Sequence, residues 1–174
     1  MPAILIVCTA NQIRSVLAEY LLRRCLTDDP HTAAWSIESA GTWTRTGMPA
    51  RTVTRHAGAE MGMDLNHHRS QRVEDLDLVQ YDLVLTMERG QRDALRAEHP
   101  EAVERIMTIT QALTGYEYDI VDPPGHTQAA VRRTARELAD LIERGTPRLV
   151  CIVNDSFSAN RVETKLVENL PPAH

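Results

Sequence analysis

Short apolar runs alternate with helical stripes along this chain. Ile4-Leu5-Ile6-Val7 is continuous and apolar, the pattern of a strand covered on both faces. From about Arg14, the positions Leu17, Leu21, Leu22, Cys25 and Leu26 fall at helical spacing, and Asp28-Asp29-Pro30 ends that helix. Trp35 to Ser39 reads as a second strand, with a loop opening at Gly41. A second helix is predicted from about Pro49 to Met61, with Val53, Ala57 and Met61 on one face and Gly62 closing it. Asp82 to Met87 is a third strand, followed by a charged helix that ends before Pro100, and Arg105 to Thr110 is a fourth. Thr127 caps a long last helix with the stripe Val131, Ala135, Leu138 and Ile142, which Gly145 and Pro147 are expected to stop. Leu149-Val150-Cys151-Ile152-Val153 then reads as one more strand, and from about Asn154 the pattern weakens.

Strands alternating with helices predict an α/β chain. The expected architecture is a single three-layer domain: a central parallel four-stranded sheet with helices on both faces. The C-terminal strand is expected to join that sheet or a partner subunit, since five apolar residues do not stay solvated at an edge. The reading divides the chain into a domain of residues 1–146 and an extension, 147–174. The extension packs on the same domain or on a second copy, so a homodimer stays open.

Length and charge narrow the function. A chain of 174 residues buries a real core without disulfides or metals. Its net charge of -5 argues against a nucleic-acid partner, because phosphate backbones want a basic face. No apolar run approaches the ~20 residues of a membrane span, and no basic n-region of a signal peptide precedes the first strand. Of the 19 basic residues only Lys165 is a lysine, so a GxxxxGK[ST] nucleotide loop is not built here. Cys8, Cys25 and Cys151 are odd in number and scattered, which suits a reduced, cytoplasmic compartment better than a disulfide framework or a zinc site. Cys25 and Cys151 read as core residues. His67 and His68 are adjacent and lack a carboxylate pattern around them, so no metal or other cofactor is expected.

The chemistry concentrates at the end of the first strand. Cys8-Thr9-Ala10-Asn11-Gln12-Ile13-Arg14-Ser15 joins that strand to a helix. In open parallel sheets ligands sit outside the carboxyl ends of strands. Backbone N–H groups and the helix dipole make such a loop a cradle for a phosphate dianion, and the same field favours a thiolate nucleophile. Arg14, six residues after Cys8, can close the loop and grip two phosphate oxygens with its planar fork. The Ser15 hydroxyl can hydrogen-bond the thiolate. A lone cysteine is more often buried and inert; the Cys-x5-Arg-Ser spacing at a strand-to-helix turn is what favours chemistry.

These residues, with Val16-Leu17-Ala18-Glu19, resemble the C-x-G-N-x-C-R-S-P-x-A-E loop of the low-molecular-weight protein tyrosine phosphatase family. Ser39-Ala40-Gly41-Thr42, Gly62-Met63-Asp64-Leu65, His68-Arg69-Ser70, Asp82 to Glu88 and Asp122-Pro123 resemble further family segments in the same order. The resemblance covers about residues 3 to 145. It implies that Cys8 attacks phosphorus, that Arg14 and the amides of residues 9–15 hold the phosphoryl oxygens, and that Asp122 protonates the leaving group and then activates water. It also implies a supporting hydrogen-bond network of Asn11, Ser15, Ser39 and His68. The implied activity is hydrolysis of phosphotyrosine on a protein substrate through a cysteinyl-phosphate. A phosphoarginine variant of the same chemistry is the alternative, and arsenate reduction or a catalytically silent phosphate-binding module ranks below both.

Departures from the family pattern bear on these expectations. Ala10 replaces a glycine and would be strained if the loop needs a positive φ there. Ile13 replaces a second loop cysteine, so the family's protective disulfide with the nucleophile cannot form. Val16 replaces a proline, and Pro123-Pro124 stands where many members carry an aromatic pair. Candidate substrate contacts are therefore Gln12, Trp43, Pro123 and Pro124, with Trp43 either at the mouth or in the core.

Overall fold

The computed structural model describes residues 1–168. Four parallel strands, β1 (Ala3–Cys8), β2 (Ser36–Gly41), β3 (Leu83–Thr86) and β4 (Ile106–Thr108), form one sheet in the order β2-β1-β3-β4. The helices are α1 (Arg14–Thr27), α2 (Thr52–Glu60), α3 (Arg89–Glu98), α4 (Ile109–Thr114) and α5 (Gln128–Glu168).

The apolar run of β1 is continuous because both its faces are covered. Ile4 and Ile6 pack among Leu17, Leu21 and Leu138 of α1 and α5, while Leu5 and Val7 pack with Leu78, Val84 and Leu95 on the other side. Successive side chains of a strand point to opposite faces, so one strand feeds both cores. Ile4 is paired with Ile37 of β2 on one side and Leu83 of β3 on the other. The chain thus winds away from β1 in both directions, which opens a crevice at the carboxyl ends of β1 and β3.

The expected four-stranded, three-layer arrangement is present. The expected C-terminal strand is not: Leu149–Val153 lies inside α5, which runs through Gly145 and Pro147. The stripe of Leu138 and Ile142 simply continues through Gly145 to Leu149 and Val153, all buried. Proline inside a helix removes one hydrogen bond and costs about 3 kcal/mol. Pro147 faces solvent, and burying Leu149 and Val153, both 0% exposed, returns roughly 1.5–3 kcal/mol each. Gly145 serves close packing rather than termination, since a Cβ there would lie 2.5 Å from Leu113 Cβ of α4. Cys151, expected in the core, is exposed, and Cys25 is half-buried against the core. The last part of the predicted extension, 169–174, lies outside the described residues. β4 is shorter than predicted because Thr108, its last residue, already caps α4 through Oγ1 to the Gln111 N–H at 3.3 Å. Among the described residues no helix is long and apolar enough to cross a membrane.

Candidate active site

β1 ends at Cys8, and α1 begins at Arg14, so residues 9–13 form the connecting loop. The Asn11 N–H donates to Cys8 Sγ at 3.3 Å, and Ser15 Oγ lies 3.1 Å from the same sulfur. The positive φ falls at Asn11 (+52°), not at Ala10. Asparagine tolerates that conformation, and the condition under which Ala10 would be strained is not met. Gly41 at the end of β2 supports the loop by its lack of a side chain: a Cβ there would sit 2.7 Å from the Thr9 carbonyl oxygen.

Asn11, fully buried, organises the network. Its Oδ1 accepts the Gln71 N–H at 3.0 Å, which fixes the amide orientation. Its Nδ2 therefore donates to Ser15 Oγ at 2.9 Å and to Ser39 Oγ at 2.8 Å. Both serine oxygens accept from Asn11, so their protons point onward. Ser15 donates to Cys8 Sγ, and Ser39 donates to the buried Glu19 carboxylate. The Asn11 carbonyl accepts from His68 Nε2, which places that ring's proton on Nε2. Burial pushes the His68 pKa below its ordinary value, with the Asn11 hydrogen bond opposing, so the ring is neutral at pH 7. Burial likewise raises the Glu19 pKa, against the Ser39 hydrogen bond and the Arg23 guanidinium at 2.8 Å. The four residues expected to support the loop are thus one connected set, to which Glu19 and Gln71 are added.

Arg14 is 2% exposed. Its Nη1 donates to the Ile120 carbonyl at 2.8 Å and to Glu88, and Nη2 reaches Thr9 Oγ1 at 3.4 Å. Gln91 Nε2 holds the same Thr9 hydroxyl at 3.1 Å. Glu88 leads into α3 at the carboxyl end of β3, across the crevice from Cys8. Arg14 Nε lies 3.0 Å from Asp122 Oδ1, an ion pair without hydrogen-bond alignment, and the buried Nε–H has no aligned acceptor among the described residues. A buried unpaired donor of this kind costs about 1–3 kcal/mol, more when charged, which an oxyanion beside it would remove.

The loop bearing Asp122 is fixed by the Ile120 N–H, which donates to the Met87 carbonyl at 2.8 Å. Asp122 is half-exposed at the mouth of the crevice, and its Oδ2 lies 2.5 Å from His126 Nε2. His126 itself has φ +50°. Pro123 is buried and Pro124 exposed. Trp43 is 83% exposed, and its backbone N–H donates to the Thr9 carbonyl at 2.9 Å, so it lies beside the loop and not in the core. Gln12 is half-buried and also faces the mouth region, between Arg51 and His126. His67 is exposed and 3.9 Å from Asp64, away from the His68 contact with Asn11.

The sequence assigned no role at the site to Glu88, Gln91 or His126. Glu88 follows a strand at the crevice, a position that could have flagged it. For His126 the only signal is its place four residues after Asp122.

The chain is similar to known proteins. Residues 3–161 match the profile of the low molecular weight phosphotyrosine protein phosphatases. A protein-arginine-phosphatase of Geobacillus stearothermophilus is 31% identical over 84% of this chain and 95% of its own. A probable low molecular weight protein-tyrosine-phosphatase, EpsP, of Ralstonia nicotianae is 29% identical over 82% of this chain and 89% of its own. The structure of the YwlE arginine phosphatase from G. stearothermophilus superposes with a TM-score of 0.75 at 27% identity, covering 99% of this chain and all of that one. A low molecular weight protein tyrosine phosphatase from T. tengcongensis gives 0.74 at 32% identity over 83% of this chain and 97% of its own. With the matched region running from the first strand into the last helix, the chain belongs to the low molecular weight phosphotyrosine protein phosphatase family.

Proposed function

We propose that this protein is a cysteine-dependent protein phosphatase that hydrolyses phosphotyrosine through a cysteinyl-phosphate. One observation carries the reading: a buried arginine with an unpaired N–H stands in the loop that holds a hydrogen-bonded cysteine. In this reading Cys8 Sγ attacks phosphorus, and the bond from phosphorus to the substrate oxygen breaks. The amides of Thr9, Ala10, Asn11, Gln12, Ile13, Arg14 and Ser15, with the Arg14 guanidinium, hold the equatorial oxygens in the transition state. Asp122 gives its proton to the departing phenolic oxygen, then takes a proton from the water that cleaves the S–P bond. Ser15, oriented by Asn11, supports the sulfur as it departs. Ser39 and His68 hold Asn11 in place. Three free thiols, one of them the nucleophile, suit a reducing cytoplasm.

Phosphoarginine is the second reading. Gln12 offers a polar amide beside the cradle, and Pro123-Pro124 provides no aromatic wall for a phenyl ring. Trp43 serves either substrate, as an apolar surface or as a cation–π face. Arsenate reduction is less well supported, since Cys25 packs against the core and Cys151 lies exposed on the last helix. A panel of phosphotyrosine, phosphoarginine and phosphoserine peptides tests the assignment. The phosphotyrosine peptide should exceed a matched phosphoarginine peptide at least about tenfold in kcat/KM, or ~1.4 kcal/mol. The reverse order selects the arginine reading. Cys8→Ser should abolish turnover of every member, and residual turnover would overturn the mechanism.

A further inference from the structure

A groove of about 410 Å³ opens beside the phosphate loop, away from Cys8. It is lined by Gln12, Met48, Pro49, Arg51, Arg55 and His126, among others. Its wall is tied to the loop, because the Gln12 carbonyl accepts both the Arg51 N–H at 3.2 Å and the Thr54 hydroxyl at 2.9 Å. On its other side, His126 is bonded to Asp122. The groove therefore continues the mouth of the active site and does not form a separate cavity.

Its charge runs against that of the protein. The chain carries a net -5, yet no acidic residue occurs between Glu38 and Glu60, where Arg45, Arg51, Arg55 and His56 lie. Arg89, Arg92, Arg132 and Arg144 on other surfaces each hold a carboxylate. Arg51 is exposed, and its guanidinium has no hydrogen-bond or ion-pair partner among the described residues. Among the described residues the Arg55 guanidinium donates only to the neutral Thr52 hydroxyl, at 3.2 Å. None of the residues lining the groove is a carboxylate, and Asp122, bonded to the lining His126, is already engaged by Arg14 and His126. Two guanidiniums without counter-charges, beside the point where a phosphorylated residue would enter, match a carboxylate on the same polypeptide.

We propose that this groove is a subsite for an acidic side chain flanking the phosphorylated residue of the substrate. The proposal rests on the phosphatase reading and adds a preference in peptide sequence. The groove wall is bonded to the phosphate loop through Gln12, so the acidic residue lies close in sequence to the phosphorylated one. Exposed charges act weakly and are screened by salt, so the effect falls on KM and fades at high ionic strength.

The test uses phosphotyrosine and phosphoarginine peptides with two Asp, two Ala or two Lys beside the phosphorylated residue. Each kcat/KM is divided by the same enzyme's value for p-nitrophenyl phosphate, which has no flanking residues. The Asp peptide should exceed the Lys peptide about tenfold at low salt, mainly through KM. In an Arg51→Glu/Arg55→Glu protein the ratio should fall to one or invert. A ratio near one in the unaltered protein, or a ratio kept in the double variant, overturns the subsite. Failure to turn over p-nitrophenyl phosphate or any of the peptides would overturn the phosphatase reading instead. The subsite is then read from peptide binding to Cys8→Ser by fluorescence anisotropy, where equal affinity for Asp and Lys peptides overturns it.

Discussion

Replacing Gly145 by alanine separates packing from helix propensity. In an open helix interior this change stabilises by about 1 kcal/mol, since alanine loses less backbone freedom on folding. At position 145 the sign should reverse. A Cβ there lies 2.5 Å from Leu113 Cβ, 2.7 Å from the Leu113 carbonyl oxygen and 2.9 Å from Leu113 Cα. None of these atoms moves by a rotamer change, so α4 and α5 must separate. Overpacking of this kind costs about 1–3 kcal/mol. Separation also reaches Leu149 and Val153, which are fully buried one and two turns further on. Contacts this short, to atoms that cannot swing aside, put the cost in the upper part of that range, about 2–3 kcal/mol. After the propensity gain, the expected loss is about 1–2 kcal/mol, or about 2–8 °C in Tm for a chain of this size. Gly90 in α3 is the matched control, because nothing lies within 4 Å of its Cβ position. Gly90→Ala should hold or raise stability, by up to about 1 kcal/mol. Thermal and urea unfolding followed by circular dichroism compares the three proteins. If Gly145→Ala melts at or above the unaltered protein, the described contact between α4 and α5 is wrong.

Other perturbations address the site. Asp122→Asn should cut kcat on phenyl phosphate by about a hundredfold or more and on p-nitrophenyl phosphate by much less, because the poorer leaving group needs the proton more; equal losses would remove Asp122 as the acid. His68 has a pKa lowered by burial, so the unfolded chain binds its proton more readily. Its contribution to stability is therefore complete above about pH 6.5 and is lost as pH falls through the lower folded-state value. The stability gap between the unaltered protein and His68→Gln, measured by urea midpoints from pH 8 to pH 5, should narrow on acidification; a constant gap contradicts the neutral buried ring. Peroxide should inactivate the enzyme beyond rescue by dithiothreitol, since Ile13 occupies the position of the family's second loop cysteine; full rescue would point to another thiol as partner.

What the sequence disclosed depended on how local each signal was. The run from Ile4 to Cys8 and the stripe from Leu17 to Leu26 bracket the phosphate loop directly, so the loop's position was legible. Ser15 was legible from its place in the loop, Asn11, Ser39 and His68 entered through resemblance, and the structure joins them by hydrogen bonds. Glu88 lies 74 residues from Arg14, and only the order of β1 and β3 in the sheet brings the two together. Strain at Ala10 is conditional on its φ, because the motif marks a glycine but not which peptide turns; the positive φ falls at Asn11. Gly145 and Pro147 carry strong local stop signals, and tertiary burial of Leu149 and Val153 overrides them. The five-residue apolar run looked like a strand because period 2 and period 3.6 are not separable over so short a stretch.

The long last helix also bears on how the chain is made. Ile4, Ile6, Leu17, Leu21 and Leu22 belong to its first segments, yet Val131, Leu138, Ile142, Leu149 and Val153 of α5 complete their core. At a synthesis rate of ~5–20 residues per second, roughly 6–27 s separate the two groups. Throughout that interval the nascent chain carries an uncovered apolar face, open to chaperones and to other chains. The loop around Cys8 rests on the same unfinished core. Synthesis aborted before Val153 therefore leaves the nucleophile on an incomplete core.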